Sequence, residues 1–282
     1  MEWNGFVGAA ARLADIDLPR VGYTIGVGED EVHAILDVEA AGSGFDRARR
    51  PKMLFEPHVF YRNLSSGKRA EAVDQGLAYK VWGTQPYPAD SYPRLEKARA
   101  IDETAALRSA SWGLGQILGE NFAAGGFDSP QDMVRAFMEA EAYHLESIVG
   151  FLVANKLDDD LRAHAWAPLA RGYNGPGYAK NGYDTKLAAA FAKWARIPDT
   201  PFFPPAGPGS ITLPRTRIGR GSRGPLVTLW QNTLVAGGYN LPSGVDGAFG
   251  AVTETATKKW QAAHQLLADG VVGPKTWGAA GV

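Results

Sequence analysis

The chain contains no cysteine, which excludes a disulfide framework, thiolate metal sites and a cysteine nucleophile. Histidine is scarce, five in 282 residues, and none falls in the HExxH spacing of a zinc hydrolase. No metal and no cofactor are expected. No apolar run approaches the ~18–20 residues a membrane helix requires, so no membrane span is expected. The first residues, MEWNGFVGAAARLADIDLPR, place Glu2 where a secretory signal needs a basic flank. A signal peptide is therefore not expected. An excess of one charge is also missing: 29 basic against 30 acidic residues give a net −1. No dense Lys/Arg stripe is interleaved with aromatics, which argues against nucleic acid as a partner.

What the chain has is a globular composition, 45% hydrophobic and 21% charged, over a length that suggests two domains. The charge is unevenly spread. Residues 206–282 hold seven Lys/Arg against three Asp/Glu, while residues 1–205 hold 22 against 27. A mildly basic piece attached to an acidic one points to an anionic polymer as partner. The same asymmetry also fits surface chemistry of no consequence.

The clearest boundary is IPDTPFFPPAGPGSITLP, dense in Pro and Gly and without amphipathic period, which reads as a stiff linker. Domains are expected at 1–196 and 217–282, with the linker at 197–216. Upstream, a helix opens with the acids Glu29-Asp30-Glu31 and stops before Gly42-Ser43-Gly44. Ser129-Pro130-Gln131-Asp132 is a strong helix start. The apolar recurrence Met133, Phe137, Leu145, Ile148, Leu152 predicts one long buried helix behind it. Another helix is expected from Asp158 towards Gly172. Lys52 to Arg62 reads as a short strand. The expected fold class is α+β, mostly helical with a small sheet, followed by a small three-helix domain.

The C-terminal piece contains a repeat. Asp246-Gly247-Ala248-Phe249-Gly250 with Thr253 recurs 23 residues later as Asp269-Gly270-Val271-Val272-Gly273 with Thr276. Each copy reads as an Asp-Gly turn, an apolar anchor, and a glycine leading into a helix. With Leu229-Trp230-Gln231 and Lys259-Trp260-Gln261, this pattern resembles the peptidoglycan-binding module of cell-wall hydrolases. Most of these motif residues are expected to build the fold rather than touch the ligand.

Glu39 is the first candidate for chemistry. Val32, Ile35, Leu36 and Glu39 lie at i, i+3, i+4 and i+7, so Glu39 falls on the apolar stripe in its helix's last turn. Desolvation and the negative helix end both push a carboxyl pKa up, as a general acid requires. The spacing also fits a glutamate merely snorkelling at the stripe edge. ILDVEAAGSGFD, followed in order by RPKMLFEPHVFYR, SASWGLGQILGENF and YNGPGY, resembles the N-acetylmuramidases of phage endolysins, in the lysozyme-like superfamily. Ala40 stands where serine is usual.

That resemblance implies a lysozyme-like catalytic domain with Glu39 as general acid. For the second group of a hydrolase, Glu56 is the candidate, on an edge strand whose one face carries Leu54, Glu56, His58, Phe60 and Arg62. A Glu56–His58 or Glu56–Arg62 pair that only solvates that face is the alternative. Asp46 is a weaker second carboxylate. His58, Gln116, Tyr173 and Asn174 are candidate sugar-binding residues, and Gly113 and Gly115 would let backbone approach the glycan. Glu141, on the long helix's apolar stripe, reads as a buried structural carboxylate. Tyr143 and His144 show no pattern separating core from function.

The expected function is a modular, monomeric endolysin that hydrolyses the MurNAc–GlcNAc β-1,4 bond, with bacterial peptidoglycan as its partner. It would be made in a host cytoplasm and reach the wall, in the periplasm, through a holin-like pore. The rivals are a lytic transglycosylase, which ends in an anhydro-sugar, and a non-catalytic wall-binding or virion structural protein.

Overall fold

A computed structural model of the protein describes residues 3–40, 42–202 and 217–280; most of the expected linker, residues 203–216, lies outside them. In chain order the helices are α1 (Asp17–Ile25), α2 (Glu29–Glu39), α3 (Pro57–Asn63), α4 (Ser66–Asp74), α5 (Tyr92–Ile101), α6 (Glu103–Arg108) and α7 (Pro130–Glu139). They continue as α8 (Glu141–Ala154), α9 (Asp158–Arg162), α10 (Trp166–Asn174), α11 (Tyr183–Trp194), α12 (Pro225–Ala236), α13 (Ala251–Ala263) and α14 (Pro274–Ala280). One antiparallel sheet runs β1 (Met53–Phe55), β2 (Ala110–Trp112), β3 (Ile117–Leu118), with Phe55 opposite Ala110 and Trp112 opposite Ile117. Among the described residues no helix is long and apolar enough to cross a membrane.

The chain packs as two compact units that interleave along the sequence. One comprises Met1–Leu13, Glu39–Ala123 and Phe127–His144; the other comprises Ala14–Val38, Ala124–Gly126 and Leu145–Val282. The first holds the sheet and α3 to α7 around Phe6, Phe55, Phe60, Leu107, Trp112 and Phe137, all fully buried. Trp112 is the largest of these, and its indole N–H donates to Leu107 O at 3.1 Å, which satisfies the polar handle of an otherwise apolar ring. Ser129 caps α7 as its sequence requires, accepting from Asp132 N at 3.0 Å, with Pro130 at the first helical positions.

Three expectations need correction. The strand expected over Lys52 to Arg62 ends at Phe55. Glu56 is the extended N-cap residue of α3, and Pro57 is at the start of that helix rather than on a sheet edge. Proline's fixed φ and missing N–H suit the first helical turn, so Leu54, Glu56, His58, Phe60 and Arg62 do not share a strand face. The single helix expected from Ser129 to Leu152 breaks at Ala140, whose backbone is extended. The break is satisfied by the N-terminal segment: Ala10 N donates to Met138 O, Ala11 N to Glu139 O, and Glu141 N to Ala11 O. The helix expected from Asp158 to Gly172 is divided at His164, which takes a left-handed φ of 52° between α9 and α10.

In the second unit, residues 217–280 form the expected three helices, with α13 starting at Ala251, directly after the first repeat's Gly250. Their core is a tryptophan cluster. Trp230 meets Trp260 and Trp277 edge-on at 5.1 and 5.5 Å and donates to Thr257 Oγ1 at 2.8 Å. The repeat is a pair of equivalent polar brackets. Buried Gln231 donates to Asp246 Oδ1, Ala248 O and Thr253 Oγ1, and accepts from Gly247 N at 2.8 Å. Buried Gln261 donates to Asp269 Oδ1, Val271 O and Thr276 Oγ1, and accepts from Gly270 N at 2.9 Å. Each Asp-Gly turn is thus tied to a preceding helix by one amide, and buried polar groups need such partners.

Candidate active site

Helix α2 buries Val32 and Ile35 and ends on Glu39, which is half-buried. Beyond it the chain turns through Gly42-Ser43-Gly44 and is fastened to the sheet side by side-by-side backbone bonds. Lys52 N donates to Gly44 O at 2.7 Å, and Gly113 N donates to Lys52 O at 2.8 Å. The result is a cleft of ≈570 Å³ lined by Glu39, Ser43, Asp46, Arg47, Lys52 and Gln116, among others that include Gly113. Glu39, Gly113 and Gln116 are therefore brought together on one cleft.

Gln116 is exposed in a left-handed conformation, φ 47°, with its Nε2 donating to Gly113 O at 2.9 Å. A non-glycine residue held there stores strain, a pattern that clusters at functional sites. Gly113 also has positive φ, 69°. Its missing side chain makes room for His144, however, rather than for a ligand: a Cβ at Gly113 would lie 2.7 Å from His144 Nδ1.

Two α8 residues that the sequence read as structural or left unassigned hold this cleft. Glu141 is 2% exposed. Its carboxylate accepts from Ser43 Oγ at 3.0 Å and Gly44 N at 2.7 Å on one oxygen, and from Leu13 N and Arg12 Nε, both at 3.1 Å, on the other. His144 accepts from Leu114 N at 3.3 Å through Nδ1, and its Nε2 donates to Phe137 O at 2.8 Å. Both bonds together require the neutral ring. Burial pushes its pKa down to about 4, which keeps it neutral at neutral pH.

Glu56 and His58 do not line the cleft. The Tyr87 hydroxyl donates to Glu56, and His58 Nδ1 lies 3.4 Å from the same carboxylate. Burial, and then the hydrogen bond to Glu56, push the Tyr87 hydroxyl up to about 12. Asp46 does line the cleft, but it organises a turn: Oδ1 accepts from Ala48 N and Arg50 N at 2.9 Å, and Oδ2 from Arg50 Nε at 2.7 Å. Tyr173 and Asn174 end α10 in the second unit, where the Tyr173 ring packs on Phe151 at 5.4 Å. Arg47, Lys52 and Ser43 line the cleft without having been singled out by the sequence; no periodicity marks a loop residue.

Both parts of the chain are similar to known proteins. Residues 29–195 match the model of the N-acetylmuramidase family, and residues 223–279 match that of a peptidoglycan binding domain. The crystal structure of the Burkholderia AP3 phage endolysin is similar at 36% identity and a TM-score of 0.62, over 66% of this chain and 73% of that one. No functionally curated protein matches the chain. With more than half of its residues under one family model, the chain belongs to the N-acetylmuramidase family and carries a peptidoglycan-binding domain at its C-terminal end.

Proposed function

We propose that the chain acts as an endolysin that hydrolyses the β-1,4 bond between N-acetylmuramic acid and N-acetylglucosamine in bacterial peptidoglycan. Residues 1–196 carry the reaction, 197–216 link, and 217–282 hold the enzyme on the wall. In this reading Glu39 protonates the glycosidic oxygen, a step worth ~10²–10⁴-fold. The observation that carries it is a carboxyl at a helix end on a cleft of ≈570 Å³. Gln116 and Gly113 line the same cleft, and the Gln116 amide suits hydroxyl and acetamido groups; Tyr173 and Asn174 are assigned to sugar binding on the sequence pattern. Anchoring on the same insoluble polymer raises the local concentration of enzyme.

The test is Glu39→Gln in a zymogram and in sedimentation with purified sacculi. Clearing disappears while sedimentation stays; surviving clearing removes Glu39 from the chemistry. A native chain that sediments but never clears makes the protein a wall-binding one.

A second reading, the lytic transglycosylase, is favoured by one observation. Glu56, the expected second carboxylate, is engaged by Tyr87 and His58 away from the cleft lining. A transglycosylase needs one glutamate and adds no water. Mass spectrometry of the digest separates the two: reducing-end muramic acid means hydrolysis, and a product lighter by one water means cyclisation.

A further inference from the structure

In the peptidoglycan-binding domain the repeat's polar residues are used up by the fold. Gln231, Gln261, Asp246, Asp269, Thr253 and Thr276 bond to one another or to turn backbone. A different part of the surface has the features of a site. A cavity of ≈430 Å³ opens between the loop after α12, at Tyr239, Asn240 and Pro242, and the outer face of α13, at Val252, Thr255 and Lys259. That size falls within the ~300–1,000 Å³ of small-ligand pockets. No acidic residue lines it. Val252, an apolar side chain on this lining, is 43% exposed. Lys258, next along the helix, is tied to Glu254 at 2.7 Å, but Lys259 is exposed and makes no ion pair among the described residues.

The lining specifies the ligand's chemistry. An ammonium on the cavity's rim wants a carboxylate, and the methyls of Val252 and Ala256 with the ring of Tyr239 want small apolar groups. The amide of Asn240 suits a peptide group. A glycan chain of wall polymer is neutral, because its lactyl carboxyl is consumed in an amide. The carboxylates and alanine methyls of that polymer belong to its stem peptides.

We propose that this cavity is where the C-terminal domain grips peptidoglycan, and that it takes the carboxylate-ended, alanine-containing stem peptide rather than the glycan. This rests on the reading that the chain acts on peptidoglycan.

The experiment measures sedimentation of the full chain with purified sacculi, comparing the native protein with Lys259→Glu, Lys259→Arg and Val252→Ser. Each variant's thermal transition is recorded alongside. Competitors are the synthetic tetrapeptide L-Ala-γ-D-Glu-mDap-D-Ala and a chitin tetrasaccharide. Lys259→Glu is expected to weaken binding about tenfold, the size of one charge-assisted contact. Val252→Ser weakens it less, Lys259→Arg restores it, and the tetrapeptide alone displaces the protein. Unchanged binding in Lys259→Glu overturns the proposal, and so does displacement by the tetrasaccharide alone. Cleavage of soluble glycan is scored in parallel. If cleavage persists while Lys259→Glu binds normally, this inference falls and the enzymatic one stands. If soluble glycan is never cleaved, the enzymatic reading falls and the binding comparison still decides this one.

Discussion

The imidazole of His144 stands where a side chain at Gly113 would stand, 2.7 Å from an added Cβ, and it crowds Gly44 more closely still. One buried ring therefore spaces two glycine turns, the turn that follows Glu39 and the β2–β3 turn that carries Gln116. The glycines are explained by packing from behind, and neither needs a ligand to account for it.

The steric claim is tested by Gly113→Ala. Alanine there meets both an occupied space, worth ~1–3 kcal/mol of overpacking, and a left-handed backbone, worth ~1–2 kcal/mol. A loss of about 3 kcal/mol in chemical denaturation is expected. Gly44→Ala isolates the overpacking and is expected to cost less. A Gly113→Ala loss no larger than the ~1–2 kcal/mol of the left-handed backbone alone would mean that the ring moves aside freely and does not set the spacing.

Acid should act through the same ring. The folded His144 has its pKa lowered to about 4 by burial, against 6.5 for the free group. Between those values the unfolded chain binds more protons than the folded one, so stability is whole above pH 6.5 and falls as pH drops towards 4. The ring loses on the order of 3 kcal/mol across that window. The charged group beside it is Glu141, whose carboxylate opposes the shift without reversing it. Urea midpoints from pH 7 to 4 should fall for the native chain and fall less for His144→Gln. Equal slopes would place the acid sensitivity elsewhere.

Glu56 is expected to tolerate removal of its charge. Since it is bound by Tyr87 and His58 and does not line the cleft, Glu56→Gln should keep kcat within about threefold, against the ~10²–10⁴-fold loss expected for an acid–base group. Tyr87→Phe provides the complement by freeing the carboxylate without neutralising it. A Glu56→Gln loss of a hundredfold or more, with Tyr87→Phe near native, would return Glu56 to the reaction.

These results also mark what the sequence could reveal. The place of Glu39 at the end of α2 was legible because two local signals coincided, an apolar stripe at helical spacing and a glycine-rich stop. The C-terminal domain was legible because its two polar brackets repeat in sequence as they do in space. Glu56 misled because Leu54, Glu56, His58, Phe60 and Arg62 alternate as a strand does, while Pro57 fits a helix start as readily as a sheet edge. His144 was invisible for another reason: its partners Gly44, Gly113 and Leu114 are distant along the chain, and no periodicity reaches that far. The break at Ala140 was hidden likewise, since the backbone groups satisfying it come from residues 10 and 11.

Glu141 gives the sharpest separation between holding the site and merely stabilising the fold. Its carboxylate gathers the Ser43 hydroxyl and three further donors in a place almost closed to water. Glu141→Ala leaves those donors without their acceptor, and breaking a buried charged contact of this kind costs ~3–5 kcal/mol. Arg12 is the exposed partner, with 66% of its side chain open, so Arg12→Ala should cost less than about 1 kcal/mol. The informative measurement is kinetic and made well below either variant's unfolding temperature. If the carboxylate sets the turn beyond Glu39, Glu141→Gln lowers kcat and leaves KM nearly unchanged, because cleft walls persist while the acid's placement loosens. Arg12→Ala should leave both constants as they are. A Glu141→Gln variant that is destabilised but turns over at the native rate would show that the four bonds serve folding alone.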